Sequence, residues 1–161
     1  MNKLFFKPWE GKYYKKSIER ILLIGESHYS KNKLNSEFTK EIINEFLDGS
    51  YIKYFNNITT IIANNDTNWD KIAFSNIFQT VFNSSSQVPN DELKNSIFPI
   101  FFQLLNKLEP TKTIVLSKRL WDWLPEINGI MIQNIKIGRC HSNIWEYTYN
   151  TGKTRAIGIC H

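Results

Sequence analysis

Apolar and polar positions fall along this chain in two kinds of block. The first is a short, unbroken apolar run closed by small or polar residues. Ile21-Leu22-Leu23-Ile24 is the clearest case, and Gly25-Glu26-Ser27-His28-Tyr29 follows it at once. An unbroken run of this length is the mark of a strand covered on both faces, and so of a parallel sheet. Ile72-Ala73-Phe74 running into Ser75-Asn76, Thr113 to Leu116 running into Ser117, and Arg155 to His161 predict three more such strands. The second kind of block repeats at three and four residues and predicts helices. Phe38, Ile42, Ile43, Phe46 and Leu47 follow possible caps at Asn35 and Ser36, and Ile58, Ile61 and Ile62 mark a helix from Tyr51 to about Ala63. Leu93 to Leu108 follows Asn90 or Asp91, with Pro99 predicting a kink or a late start. A shorter block covers 118–125. Ile130 to Ile137 and the alternating Trp145 to Tyr149 predict late, hairpin-like strands.

Strand and helix in alternation predict an α/β fold: one three-layer α/β/α domain over 1–161 around a mostly parallel four-stranded sheet. Residues 1–20 are aromatic and basic and read as an arm or helix covering the sheet edge.

Composition narrows this picture. A chain of 161 residues, 42% hydrophobic and 14% aromatic, buries a real core and lies far from the disordered range. No apolar run reaches the 18 or so residues of a membrane span, and Met1 to Pro8 lacks the apolar centre of a secretion signal. The expectation is a soluble, cytoplasmic monomer without a membrane partner. A net charge of +5 permits a nucleic-acid partner. It carries little weight, because Lys far exceeds Arg and Asn and Ile are abundant, as a base-composition bias in the coding DNA would produce. Cys140-His141 and Cys160-His161 are expected to be reduced thiols beside histidines; two ligand pairs of one zinc site are the alternative.

In open α/β sheets ligands bind beyond the carboxyl ends of the strands. The predicted strand ends bring Gly25-Glu26-Ser27-His28-Tyr29, Ser75-Asn76, Ser117-Lys118-Arg119 and Cys160-His161 to one edge. A carboxylate, an amide, a cationic pair and imidazoles around one crevice suffice for acid/base or hydrolytic chemistry.

These residues carry a resemblance. Gly25-Glu26-Ser27-His28-Tyr29, then Ala73-Phe74-Ser75-Asn76-Ile77-Phe78-Gln79-Thr80-Val81, then Gly158-Ile159-Cys160-His161 resemble, in order and separation, the three motifs of the uracil-DNA glycosylase superfamily. The likeness spans about residues 20 to 161. It implies that family's fold and a hydrolase that removes uracil or a related base from single- or double-stranded DNA, without metal or cofactor. It implies that Asn76 reads the edge of a flipped base, that Tyr29 excludes a methyl at pyrimidine C5, and that Gly25 and Ser27 shape the binding loop. It also implies that His161 hydrogen-bonds the departing base. Ser27 stands where the best-known branch has a water-positioning Asp, so Glu26 or His28 is expected to take that task. His28 replaces a proline, and the sequence stops at His161, short of the family's Pro-Ser, as a truncated end would. Lys118 and Arg119 are candidates for a phosphate backbone.

Each residue also has a plainer reading. Asn76 can cap a helix, Tyr29 can wall the core, His28 can be a structural histidine, and Lys118-Arg119 can be a solvated helix start. Two other functions fit the same motifs: a base-binding module that has lost catalysis, and a small esterase with Ser27 as nucleophile and a histidine as base.

Overall fold

The computed structural model describes residues 3–62, 68–124, 128–137 and 140–159. Strand β2 (Ile21–Gly25) lies inside the sheet, as its all-apolar sequence requires. It pairs in parallel with β4 (Ile72–Asn76) on one side and β6 (Lys112–Val115) on the other. β9 (Gly152–Gly158) continues the parallel set beside β6. Leu23 stands level with Phe74 and Ile114, and Gly25 with Asn76.

Among the described residues the sheet has seven strands, which corrects the expectation of four. Its order is β1-β4-β2-β6-β9-β8-β7, with β1 (Trp9–Glu10), β8 (Cys140–Tyr149) and β7 (Gly129–Ile137) all antiparallel to their neighbours. The reason is local. The N-terminal arm supplies a two-residue edge strand against Phe74 and Ala73. The late hairpin does not stand apart, because Ile144 to Tyr149 of β8 pair along the length of β9. A separate parallel pair, β3 (His28–Tyr29) with β5 (Val81–Phe82), sits beyond the main sheet.

Helices cover both faces. α1 (Phe38–Leu47) and α2 (Lys53–Ile62) lie on one, and α3 (Asp91–Leu108) and α4 (Lys118–Trp123) on the other. Alternation along β2 feeds both: Leu22 and Ile24 join the core under α3, while Leu23 joins Ile43, Phe55 and Ile58 under α1 and α2. Asn90 caps α3 by accepting a hydrogen bond from the Leu93 amide at 2.9 Å. That cap starts the helix at Asp91 and carries it through Pro99, so no late start occurs. Ser117 caps α4 through the Leu120 amide at 3.1 Å. No helix among the described residues is long and apolar enough to cross a membrane.

Candidate functional site

Strands β2 and β4 end side by side, and their exits are tied together. The Ile77 amide donates to the Gly25 carbonyl at 3.0 Å and the Phe78 amide to the Glu26 carbonyl at 2.9 Å. Ser27 Oγ lies 2.9 Å from the Thr80 carbonyl and 3.0 Å from that of His28. Then β3 zips onto β5. Two loops that sequence alone leaves separate are thus one fixed edge.

A cavity of about 580 Å³ opens at this edge, on the α1/α2 side of the sheet. It is in the size range that holds a drug-sized ligand. Phe38 and Ile42 of α1, Tyr54 and Phe55 of α2, and Phe74 of β4 give it an apolar, aromatic wall. Glu26, Ser27, His28, Tyr29, Asn76, Ser117 and Arg119 give it polar groups.

Glu26 is buried and engaged through both oxygens. Arg119 Nη2 forms an ion pair with Oε1, and Ser117 Oγ lies 3.2 Å from Oε2. The same Arg119 nitrogen donates to the Ser85 carbonyl at 3.3 Å, and the guanidinium carbon lies 5.4 Å from the Trp123 ring centroid. Arg119 is therefore the roof of the cavity mouth, held at three points.

Asn76 is 3% exposed. Its backbone carbonyl accepts from Gln79 Nε2 at 2.6 Å. No hydrogen bond from a described residue engages its side-chain amide, which lines the cavity. Gly25 makes room for that amide: a Cβ there would stand 2.3 Å from Asn76 Oδ1 and 3.1 Å from the Tyr54 hydroxyl.

His28 has another setting. Its Nε2 lies 2.8 Å from Thr39 Oγ1, and its ring meets Phe6 and Phe38 edge-on at 4.7 and 5.0 Å. Burial lowers its pKa to about 4, so the imidazole is neutral at neutral pH. Tyr29 is half exposed at the mouth, and partial burial, with Glu26 nearby, pushes its phenol upward.

Of the residues singled out from the sequence, Glu26, Ser27, His28, Tyr29, Asn76 and Arg119 meet at this cavity, with Gly25 directly behind Asn76. Lys118 does not: it is exposed and paired with Asp122 one turn along α4. Cys160 and His161 lie outside the described residues. Among the described residues, no three His, Cys, Asp or Glu side chains are grouped as a metal site needs.

Sequence reasoning missed the wall from α1 and α2. One signal was available: Tyr54 is four residues before Ile58 and shares its inward stripe, so a phenol was already aimed at the sheet. Compared with known proteins, the chain matches no family model, and no curated protein matches it.

Proposed function

We propose that this chain takes a nucleobase out of DNA into the cavity and hydrolyses its N-glycosidic bond. One observation carries the reading: a buried side-chain amide, Asn76, offered to an aromatic-walled cavity at the strand ends. An amide presents one acceptor and two donor hydrogens, which complements the alternating O4 and N3–H edge of uracil. Aromatic walls suit a flat heterocycle, since stacking one base on a ring contributes about 1–3 kcal/mol. In the reaction the C1′–N bond breaks and its electron pair leaves with the base. Water adds its oxygen to C1′ and gives up a proton, for which Glu26 is the acceptor. Tyr29 at the mouth is the group that meets a C5 substituent.

A second reading, a base-binding module without turnover, is favoured by the state of the two acid/base candidates. Glu26 is tied to Arg119 and Ser117, and His28 to Thr39. The esterase reading has less support, because the Ser27 hydroxyl faces two backbone carbonyls and His28 faces Thr39.

The test is a single-turnover assay on a labelled oligonucleotide with one uracil, single- and double-stranded, followed by alkaline cleavage of abasic sites. Cleavage that falls at least 100-fold in Asn76→Asp and in Glu26→Gln supports the hydrolase. Uracil-dependent binding without cleavage supports the module. Neither binding nor cleavage, with uracil or with a panel of modified bases, overturns both.

A further inference from the structure

Arg119 offers more than a point charge at the cavity mouth. A guanidinium has two edges suited to gripping an oxyanion with two parallel hydrogen bonds, and Nη2 belongs to both. In this fold Nη2 is given to the Glu26 carboxylate and to the Ser85 carbonyl. The rest of the group is held by Trp123 beneath it, and a third of the Arg119 side chain is exposed against 8% for Glu26. An anion arriving from solvent therefore meets Arg119 first, and can grip it bidentately only by taking Nη2 from one of its present partners.

The cavity is also large enough for more than a base. Asn76 is on β4 and Arg119 on α4, so the two recognition groups come from different elements around one space of about 580 Å³. That is room for a base with its sugar, leaving the attached phosphate at the rim.

We propose that the phosphate of the nucleotide whose base fills the cavity takes Arg119 from Glu26, so that an oxyanion at the mouth releases the carboxylate inside. This rests on the nucleobase reading above. Glu26 keeps the Ser117 hydroxyl on its other oxygen, which holds it in place, and the released oxygen turns to a water beside C1′. Before substrate arrives the carboxylate is locked by its cation; after, it is free to accept a proton. Arg119 is thus a positioning residue that couples occupancy of the phosphate site to readiness of the base. No covalent bond changes in this step; one ion pair is exchanged for another.

The exchange makes a prediction whose sign is unusual. If Glu26 competes with phosphate, removing its charge strengthens phosphate binding. If Glu26 only orients Arg119, removing it weakens binding. The experiment titrates the full chain with inorganic phosphate, 2′-deoxyuridine and 2′-deoxyuridine 5′-monophosphate, by calorimetry or NMR. Three proteins are compared: wild type, Glu26→Gln and Arg119→Lys. The inference expects the nucleotide to bind at least 10-fold tighter than the nucleoside in wild type. It expects a further several-fold gain for the nucleotide in Glu26→Gln. It expects loss of most of the phosphate preference in Arg119→Lys, which keeps the charge but not the two-toothed edge. Equal binding of nucleoside and nucleotide, or weaker nucleotide binding in Glu26→Gln, overturns it, and so does absence of binding by all three probes. If inorganic phosphate binds with these variant responses while neither uridine compound improves on it, the anion exchange stands and the nucleobase reading fails. If the nucleoside binds and phosphate adds nothing, the nucleobase reading stands and the exchange fails.

Discussion

The two faces of the sheet are built from the same strands and end in different states. Under α3, Ile97, Phe101, Leu104 and Leu105 fill the space against Leu22, Ile24 and Tyr147. Under α1 and α2, aromatic rings stand edge-on to one another, Phe55 to Phe74 at 5.5 Å and Tyr54 to Phe74 at 6.4 Å, and the cavity remains. Rings pack on both faces, Phe78 on Phe82 and Phe101 on Tyr147 on the α3 side, so the faces differ in closure rather than in residue type: the cavity at the strand ends is lined by residues of α1 and α2. Stability is therefore concentrated on one face and accessible space on the other.

The largest expected effect tests that division directly. Phe101 is fully buried and packs edge-to-face with Tyr147 at 5.0 Å. Phe101→Ala is expected to cost ~3–5 kcal/mol of unfolding free energy. Phe38→Ala, which removes one edge-on contact to His28 and enlarges a space already open, is expected to cost about 1 kcal/mol. Urea unfolding of both variants measures the difference, and equal losses would abolish the distinction between the faces.

Next comes pH, which acts on the cavity side through His28. His28 has a folded pKa of about 4, below its usual value near 6.5. Above about pH 6.5 the ring is neutral folded or unfolded, and stability is full. Between about 6.5 and 4 the unfolded chain takes up the proton that the folded one refuses, so stability falls, by up to about 3 kcal/mol. Urea midpoints across that range should show the fall, and His28→Gln should flatten it. The buried phenol of the other face, Tyr14, is pushed upward by burial and plays no part there. A pH dependence unchanged by His28→Gln would place the sensitive group elsewhere.

The smallest expected effect separates two adjacent residues. Lys118 pairs with Asp122 at the surface, with both side chains about half exposed. Lys118→Ala should change stability by less than ~0.5 kcal/mol and leave ligand binding unaltered. A binding defect in that variant would extend the working surface beyond the cavity onto the exposed side of α4.

Much of this was legible because it is local. The run Ile21 to Ile24 announced a doubly covered strand, and the polar residues after Gly25 announced a loop with chemistry. Ser75-Asn76 marked the end of β4, and the structure sets Asn76 level with Gly25. What was not legible depends on distance. Nothing in Trp9-Glu10 says that it pairs with Phe74 and Ala73 some 64 residues on. Nothing in Glu26 says that its cation is Arg119, and |i−j| there is 93. The setting of His28 was hidden for a related reason: Phe6, Phe38 and Thr39, which pack on its ring and meet its Nε2, all lie outside the motif that contains it.

The position of β2 also governs when this site can exist. The strand that leads into Glu26 is synthesised before both of its neighbours, β4 at residue 72 and β6 at residue 112. Until then an apolar segment waits without either hydrogen-bonding partner. Pairings this far apart slow folding and lengthen the exposure of sticky strand edges during synthesis. The arrangement that gathers the loops into one pocket therefore makes the pocket a late event in the life of each molecule.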